Sequence, residues 1–257
     1  MFARRAYADP QMDEPDYIPA ATLILGRERG DLPEYLMVRR TSDMAFAGGA
    51  WVFPGGRIDA GDHALADGDE IAAAKVAAVR ETLEEVGIPV GLTPLPSSQD
   101  GRVLQDAVND GTTLADLVAA RGLSLDLGGI APFARWAPKM QLARRFDTWF
   151  MLARVPDGDW DIAVQQSELS EACWTSARAM LERIASGEAS AIFPTKRNLE
   201  RLARFSSLDE AFVDAAAQSL ERIVPWVEER DGGKHVCIPD GRGYPVTSEP
   251  LDSAVRA

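Results

Sequence analysis

The strongest periodic signal in the chain runs from Glu70 to Val86. Ala72, Val76, Val79, Leu83 and Val86 recur at helical spacing, which predicts an amphipathic helix docked on a core. At a step of about 100° per residue, Glu81, Glu84 and Glu85 fall within an arc of roughly 100° on the opposite side, an acidic face expected to look away from that core. Shorter apolar runs predict strands over residues 20–25 and 34–39, joined by a turn at Gly30-Asp31. Further strands are predicted over 51–53, 130–136 and 148–155, and residues 89–95 leave the helix and begin another.

Residues 97–127 read as a mostly helical excursion. One short helix spans 103–108, and a second, capped by Thr113, runs through Ala120 before Gly122. Leu114, Leu117 and Val118 give it one apolar face, which suits a lid, a specificity element or a homodimer contact. Further on, an acidic loop around Glu168 and Glu171 enters a short strand at Trp174. Helices are predicted over 177–185, from the 192–195 turn through 203, and over 208–224, with a last strand at 236–239. The resulting class is α+β, with a mixed central sheet, a helical insertion and C-terminal helices, and no internal repeat.

Length and charge narrow the function. A chain of 257 residues can bury a full core, and residues 1–257 read as one domain with additions. Lys and Arg total 27 against 40 Asp and Glu, a net charge of −13, which argues against nucleic-acid or anionic-membrane partners. Cys173 and Cys237 are far apart and fit no zinc spacing or disulfide framework. No signal peptide, membrane span, lipidation motif or peroxisomal address is legible, so a cytoplasmic location is expected.

Three carboxylates on one helical face repel one another unless solvent or a cation screens them. The face is therefore either solvated or a site for a hard divalent ion, and Mg²⁺ suits a few carboxylates whose shell is completed by water and substrate phosphate. Ahead of the helix, Trp51-Val52-Phe53 runs into Pro54-Gly55-Gly56, a sharp turn where backbone can approach a ligand closely.

Turn and acidic helix together resemble the Nudix box, a Gly, an acidic residue, then Arg-Glu-apolar-any-Glu-Glu-any-Gly-apolar. Gly56, Arg80, Glu81, Glu84, Glu85, Gly87 and Ile88 match, whereas Thr82 fills the apolar slot and Asp62 stands where a Glu is usual. Seventeen residues separate Asp62 from Arg80, against seven in the compact box. The box thus spans 55–88 with an insertion at about 63–71, expected to bulge as a loop. This is similar to the interrupted-box branch that includes peroxisomal coenzyme A diphosphatases. Arg40-Thr41, Gly49 and Phe53-Pro54-Gly55-Gly56 also resemble the upstream signature of coenzyme A-cleaving Nudix enzymes, although Thr41 replaces a Ser and Ala45 replaces a second Arg.

The resemblance implies a Nudix α/β/α sandwich with a C-terminal helical extension at about 195–257. It implies a Mg²⁺- or Mn²⁺-dependent diphosphatase acting on a small-molecule diphosphate. Glu81, Glu84, Glu85 and the Gly55 carbonyl would hold metal. Glu85 or Glu168 would act as base, with Glu171 as second choice for the loop carboxylate, and Arg80 would pair with an acidic neighbour to hold the helix in register. Arg40, Gly49, Phe53, Gly56, Arg57 and Arg145 are the candidates for substrate contact, with Arg39 or Arg57 as stand-in for the missing arginine. Arg144 and Arg145 at a strand mouth suit a phosphate, and Asp147 suits orienting an arginine. Lys196 and Arg197, in the first turn of a helix, hint at an anion there or are simply solvated. His63 and His235 give a Ser-His-Asp hydrolase little support.

Three functions follow. The first is cleavage of coenzyme A or an acyl-coenzyme A. The second is the same chemistry on ADP-ribose, NADH or a nucleoside triphosphate. The third is a non-catalytic nucleotide sensor, against which the intact Glu84-Glu85 pair argues.

Overall fold

The computed structural model describes residues 17–43, 47–138, 145–230 and 232–256. Among these, the chain forms β1 (Ile18–Arg29), β2 (Leu32–Arg40), β3 (Trp51–Val52), β4 (Gly55–Arg57), α1 (Ala60–Leu65), α2 (Glu70–Val86), β5 (Leu92–Thr93), α3 (Ser98–Asn109), α4 (Leu114–Arg121) and β6 (Ser124–Leu125). It continues through β7 (Ala131–Trp136), β8 (Phe146–Arg154), β9 (Leu169–Ser176), α5 (Ala177–Ser186), α6 (Phe193–Leu202), α7 (Leu208–Ala217), β10 (Trp226–Arg230), β11 (Gly233–Cys237), β12 (Ser248–Pro250) and α8 (Leu251–Arg256).

The central sheet runs β3-β2-β1-β8-β7, with β4 also on β1 and β9 on β2. β1 and β8 are parallel from Ile18 opposite Phe146 to Gly26 opposite Arg154, and the other pairings of this sheet are antiparallel, so the sheet is mixed. Alternation along the strands sorts side chains into two cores. Leu23, Leu25, Leu36, Val38, Trp149 and Met151 face one core together with α2, α3 and α4. Ile24, Tyr35, Met37, Phe150 and Leu152 face the other, together with α5, α6 and α7. Helices therefore cover both faces, which is the mixed α+β sandwich expected.

Helix α2 spans the predicted residues because its ends are chemically marked. The Asp69 side chain accepts from the Ala72 amide at 2.6 Å, and Gly87 ends the helix in the left-handed region with its amide on Leu83 O. Ala73, Ala74, Ala77 and Ala78 are fully buried, and their small side chains let the helix lie close against β1. Thr82 occupies an apolar slot at no cost, since its hydroxyl donates back to Ala78 O at 2.7 Å.

Several expectations need correction. The box insertion is no simple loop, because residues 60–65 form α1, where the Asp59 amide donates to Asp62 Oδ2 at 2.8 Å. Helix α3 starts at Ser98, earlier than expected, through a capping box between Ser97 and Asp100. Helix α7 ends at Ala217 rather than Val224, because the following segment extends along β7: Ile223 N donates to Arg135 O and Ala137 N to Ile223 O. The C-terminal region carries helices α6, α7 and α8, and beside them β10, β11 and β12 form a separate antiparallel sheet. Lys196 and Arg197 offer no anion site; both pair with Glu249, at 2.6 and 3.0 Å, and Arg197 also with Glu200. Ala45, Phe46, Arg144 and the first sixteen residues lie outside the described residues.

Candidate active site

The Pro54-Gly55-Gly56 turn is held against β1 by Thr22, whose hydroxyl reaches Phe53 O and Pro54 O at 3.0 and 2.6 Å. Leu23 N donates to Pro54 O at 2.8 Å. Gly55 needs its glycine, with φ at +155° and a would-be Cβ 2.4 Å from Ala21 O. Its amide donates to Glu85 Oε2 at 2.9 Å. At Gly56 a Cβ would stand 2.4 Å from Glu81 Oε1. The turn thus seats two glutamates of α2 directly on backbone.

The acidic face looks away from the apolar core, as expected, but not into bulk solvent. Glu85 is only 5% exposed, and Glu81 and Glu84 side chains are 15% and 26% exposed. Burial lifts the Glu81 carboxyl to about 7 against the pull of Arg80. Glu84 is raised as well, again chiefly by burial. Glu85 is pushed well above the usual range, by burial first and the Glu81 charge second.

Arg80 is the hub of this face. Its guanidinium grips Asp62 at 3.0 and 2.9 Å, reaches Arg57 O at 2.8 Å, and meets Glu81 and Glu84 at 2.8 and 3.1 Å. Asp62 is 2% exposed and is spent on Arg80. Arg80 therefore positions carboxylates and the insertion, with its hydrogen-bonding capacity spent on them. Its guanidinium is held even more firmly protonated than usual by these carboxylates, although burial opposes them.

The other predicted residues divide. Arg40 and Glu168 lie close enough to Glu85 to act on its charge, Arg40 favouring the ionised form and Glu168 opposing it. Glu168 is exposed, and its carbonyl accepts from the Thr41 amide at 2.9 Å, which ties the acidic loop to the Arg40-Thr41 pair. Gly49 shapes the β2–β3 link, donating to Arg40 O and accepting from Arg39 Nε. Arg39 also pairs with Glu171 at 3.0 Å, so this stand-in arginine and the second-choice loop carboxylate neutralise each other. Phe53 is not a surface contact: it is 2% exposed in the core on the opposite face of the sheet, edge-on to Phe150. Arg57 is exposed beside the turn. Arg145 directly precedes β8, its carbonyl accepting from Ile18 N. Asp147 does orient arginines, taking Arg135 at 2.9 and 2.8 Å and Arg222 at 3.0 Å.

Residues not singled out from sequence fasten the C-terminal end of α2. Gln105 Nε2 donates to Glu84 O and Ala163 O, and Asn109 Nδ2 also reaches Glu84 O. Gln165 N donates to Glu85 O. Their signal is weak, because isolated amides carry no periodic pattern.

Among the described residues, no three His, Cys, Asp or Glu side chains are gathered into a ready metal cage. Glu81 and Glu84 share Arg80 Nη1, while Glu85 is held by the Gly55 amide. The donor set nevertheless fits a hard divalent cation. It is all oxygen and largely shielded from solvent, and its carboxyls are raised by burial first and then by the neighbouring carboxylates.

A mixed sheet bearing a glycine turn against a buried triglutamate helix face defines a hydrolase class that cleaves diphosphates. The NUDIX domain model matches residues 16–105. The crystal structure of a NUDIX hydrolase from Alicyclobacillus acidocaldarius is similar at 32% identity and a TM-score of 0.68, covering 77% of this chain and 96% of that one. More distant likenesses include a MutT protein from Methanosarcina mazei Go1, at 18% identity, TM-score 0.43 and coverage of 75% and 96%. Another is the NUDIX domain of Shewanella oneidensis NrtR complexed with ADP ribose, at 16%, 0.44, and 77% and 93%. Among curated proteins nothing matches the sequence. The chain belongs to the Nudix hydrolases, enzymes that generally use divalent metal ions to cleave diphosphates. Among the described residues no helix is long and apolar enough to cross a membrane.

Two predictions arise at this face. In Gly56→Ala the new methyl displaces the Glu81 carboxylate, the far end of a flexible side chain. Activity is expected to fall about tenfold to a hundredfold while stability changes by less than about 1 kcal/mol, read by kcat beside a thermal melt. An unchanged kcat would refute the seating of Glu81 on Gly56.

The second concerns pH. The folded-state value of Glu81 lies above that of an exposed glutamate, at about 7 against 4.5, so its contribution to stability is full below 4.5 and lost as pH rises through about 7. In chelator, the melting temperature of wild type relative to Glu81→Gln is therefore expected to drop by a few degrees between about pH 5 and pH 8. A gap that stays constant or widens in favour of wild type contradicts the burial of an undercompensated carboxylate.

Proposed function

We propose that the protein hydrolyses the diphosphate of a nucleoside diphosphate linked to a second moiety, with coenzyme A or an acyl-coenzyme A as substrate. The observation that carries this reading is the placement of Arg40 and Glu168 beside Glu85, where the Gly55-Gly56 turn meets the buried carboxylates. Arg40 belongs to the upstream Arg-Thr…Gly…Phe-Pro-Gly-Gly stretch and supplies a fork-shaped cation for a phosphate. A net charge of −13 supports a small-molecule partner over nucleic acid.

Glu81, Glu84 and Glu85 would hold the divalent ions. Such ions, when bound, supply positive charge to the diphosphate oxygens and acidify a water. Glu168, exposed and close enough to Glu85 to act on its charge, takes the proton of the attacking water. Arg40 holds a phosphate in line, and Arg80 keeps Glu81 and Glu84 in register. ADP-ribose, NADH or a nucleoside triphosphate is the second reading, favoured by Ala45 where the coenzyme A signature has its second arginine.

The test is a Mg²⁺ and Mn²⁺ hydrolysis screen over coenzyme A, acetyl-coenzyme A, ADP-ribose, NADH and nucleoside triphosphates. Release of 3′,5′-ADP and 4′-phosphopantetheine is the expected result. Turnover of another diphosphate instead rejects coenzyme A and leaves the diphosphatase reading standing; binding without any turnover rejects both.

A further inference from the structure

An open cleft of about 480 Å³ lies between α1, inserted in the box, and the α3–α4 connection, with Arg80 and Glu84 on its inner wall. Leu65, Val108 and Leu114 line it with apolar surface, Thr112 adds an exposed hydroxyl, and Asp59 and Glu84 add carboxylates. Asp62 and Arg80 cancel within the wall, so its remaining charge is negative. A further phosphate would be repelled there, whereas an uncharged chain with methyl groups and amides or hydroxyls would be accepted. Both elements that build the cleft are additions around the catalytic helix, and Glu84 belongs at once to cleft and acidic face.

We propose that this cleft binds the uncharged, partly apolar arm that leaves on the far side of the cleaved diphosphate, so that α1 and α4 select the substrate. This deepens the reading above and rests on it for the identity of the arm, for which pantetheine is the probe. Apolar burial against Leu65, Val108 and Leu114 gives affinity, and Thr112 gives a hydrogen bond at the rim.

The experiment titrates free pantetheine and, separately, ADP into the full protein by amide-resolved NMR, and measures KM for coenzyme A. Three proteins are compared: wild type, Ala64→Trp, whose new ring fills the cleft from the exposed side of α1, and Val213→Trp as a control on exposed α7. Pantetheine is expected to shift the amides of Leu65, Thr112 and Ala115. Ala64→Trp is expected to weaken it and raise KM by about tenfold, with ADP binding as before and Val213→Trp like wild type. Pantetheine that lodges in the cleft while coenzyme A goes uncut supports the cleft and defeats the cleavage reading. Coenzyme A that is cut while pantetheine shifts only amides elsewhere, or an Ala64→Trp protein with unchanged pantetheine binding and KM, overturns the cleft and leaves the cleavage reading in place.

Discussion

Glu85→Gln is expected to lower kcat by about 10³-fold or more, roughly 4 kcal/mol of transition-state stabilisation, while raising the melting temperature of the metal-free protein. The two effects have one origin. Glu85 is 5% exposed, beside Glu81 and Glu168, and burial together with the Glu81 charge makes its ionised form costly. An amide of the same shape removes that cost and can still accept from the Gly55 amide, now at 2.9 Å from Oε2. What it cannot supply is the charge that holds a divalent ion. A stability gain with lost activity is the signature of a functional group kept at the expense of the fold. Glu85→Gln retaining near-wild-type turnover would remove Glu85 from the site. A large loss of stability would show that its charge is well compensated, against the burial described above.

The sequence made α2 legible to the residue, because its 3.6-residue apolar period and the terminal Gly-Ile of the box agreed; the Asp69 cap came only with the structure. The period-2 strands β1, β2, β7 and β8 were equally plain in kind, though their ends were off by a few residues. The glutamates were found by position on a wheel, but their burial was not, since it depends on the Gly55-Gly56 turn folding back onto them from another element. Phe53 was misplaced for a related reason: a motif gives an order of residues and not the face of the sheet on which each side chain falls. The short helix α1 and strands β10 and β12 escaped notice because three to six residues carry too little periodicity to outweigh their neighbours. Glu249, the partner shared by Lys196 and Arg197, lies some fifty residues away, a distance no local pattern reports.

Arg80 is where fold and site depend on one side chain, and its removal should be the most damaging single change. Arg80→Ala leaves the Asp62 carboxylate, 2% exposed, with only the Asp59 amide as a partner among the described residues and strips Glu81 and Glu84 of their shared cation. Losing one partner of a buried ion pair costs about 3–5 kcal/mol, so destabilisation of that size is expected, centred on α1 and the N-terminal half of the box. Arg80→Lys keeps the charge but cannot span Asp62, Arg57 O and the glutamates at once, and about half of the loss should remain. The ion-pair origin is testable by a cycle. Asp62→Asn in the Arg80→Ala background should recover about 1–2 kcal/mol, since the stranded charge is gone, although kcat should stay low because Glu81 and Glu84 are still unheld. Independent, additive effects of the two substitutions would dissolve the proposed hub. If Arg80→Lys lost activity only through KM, Arg80 would belong to substrate binding instead.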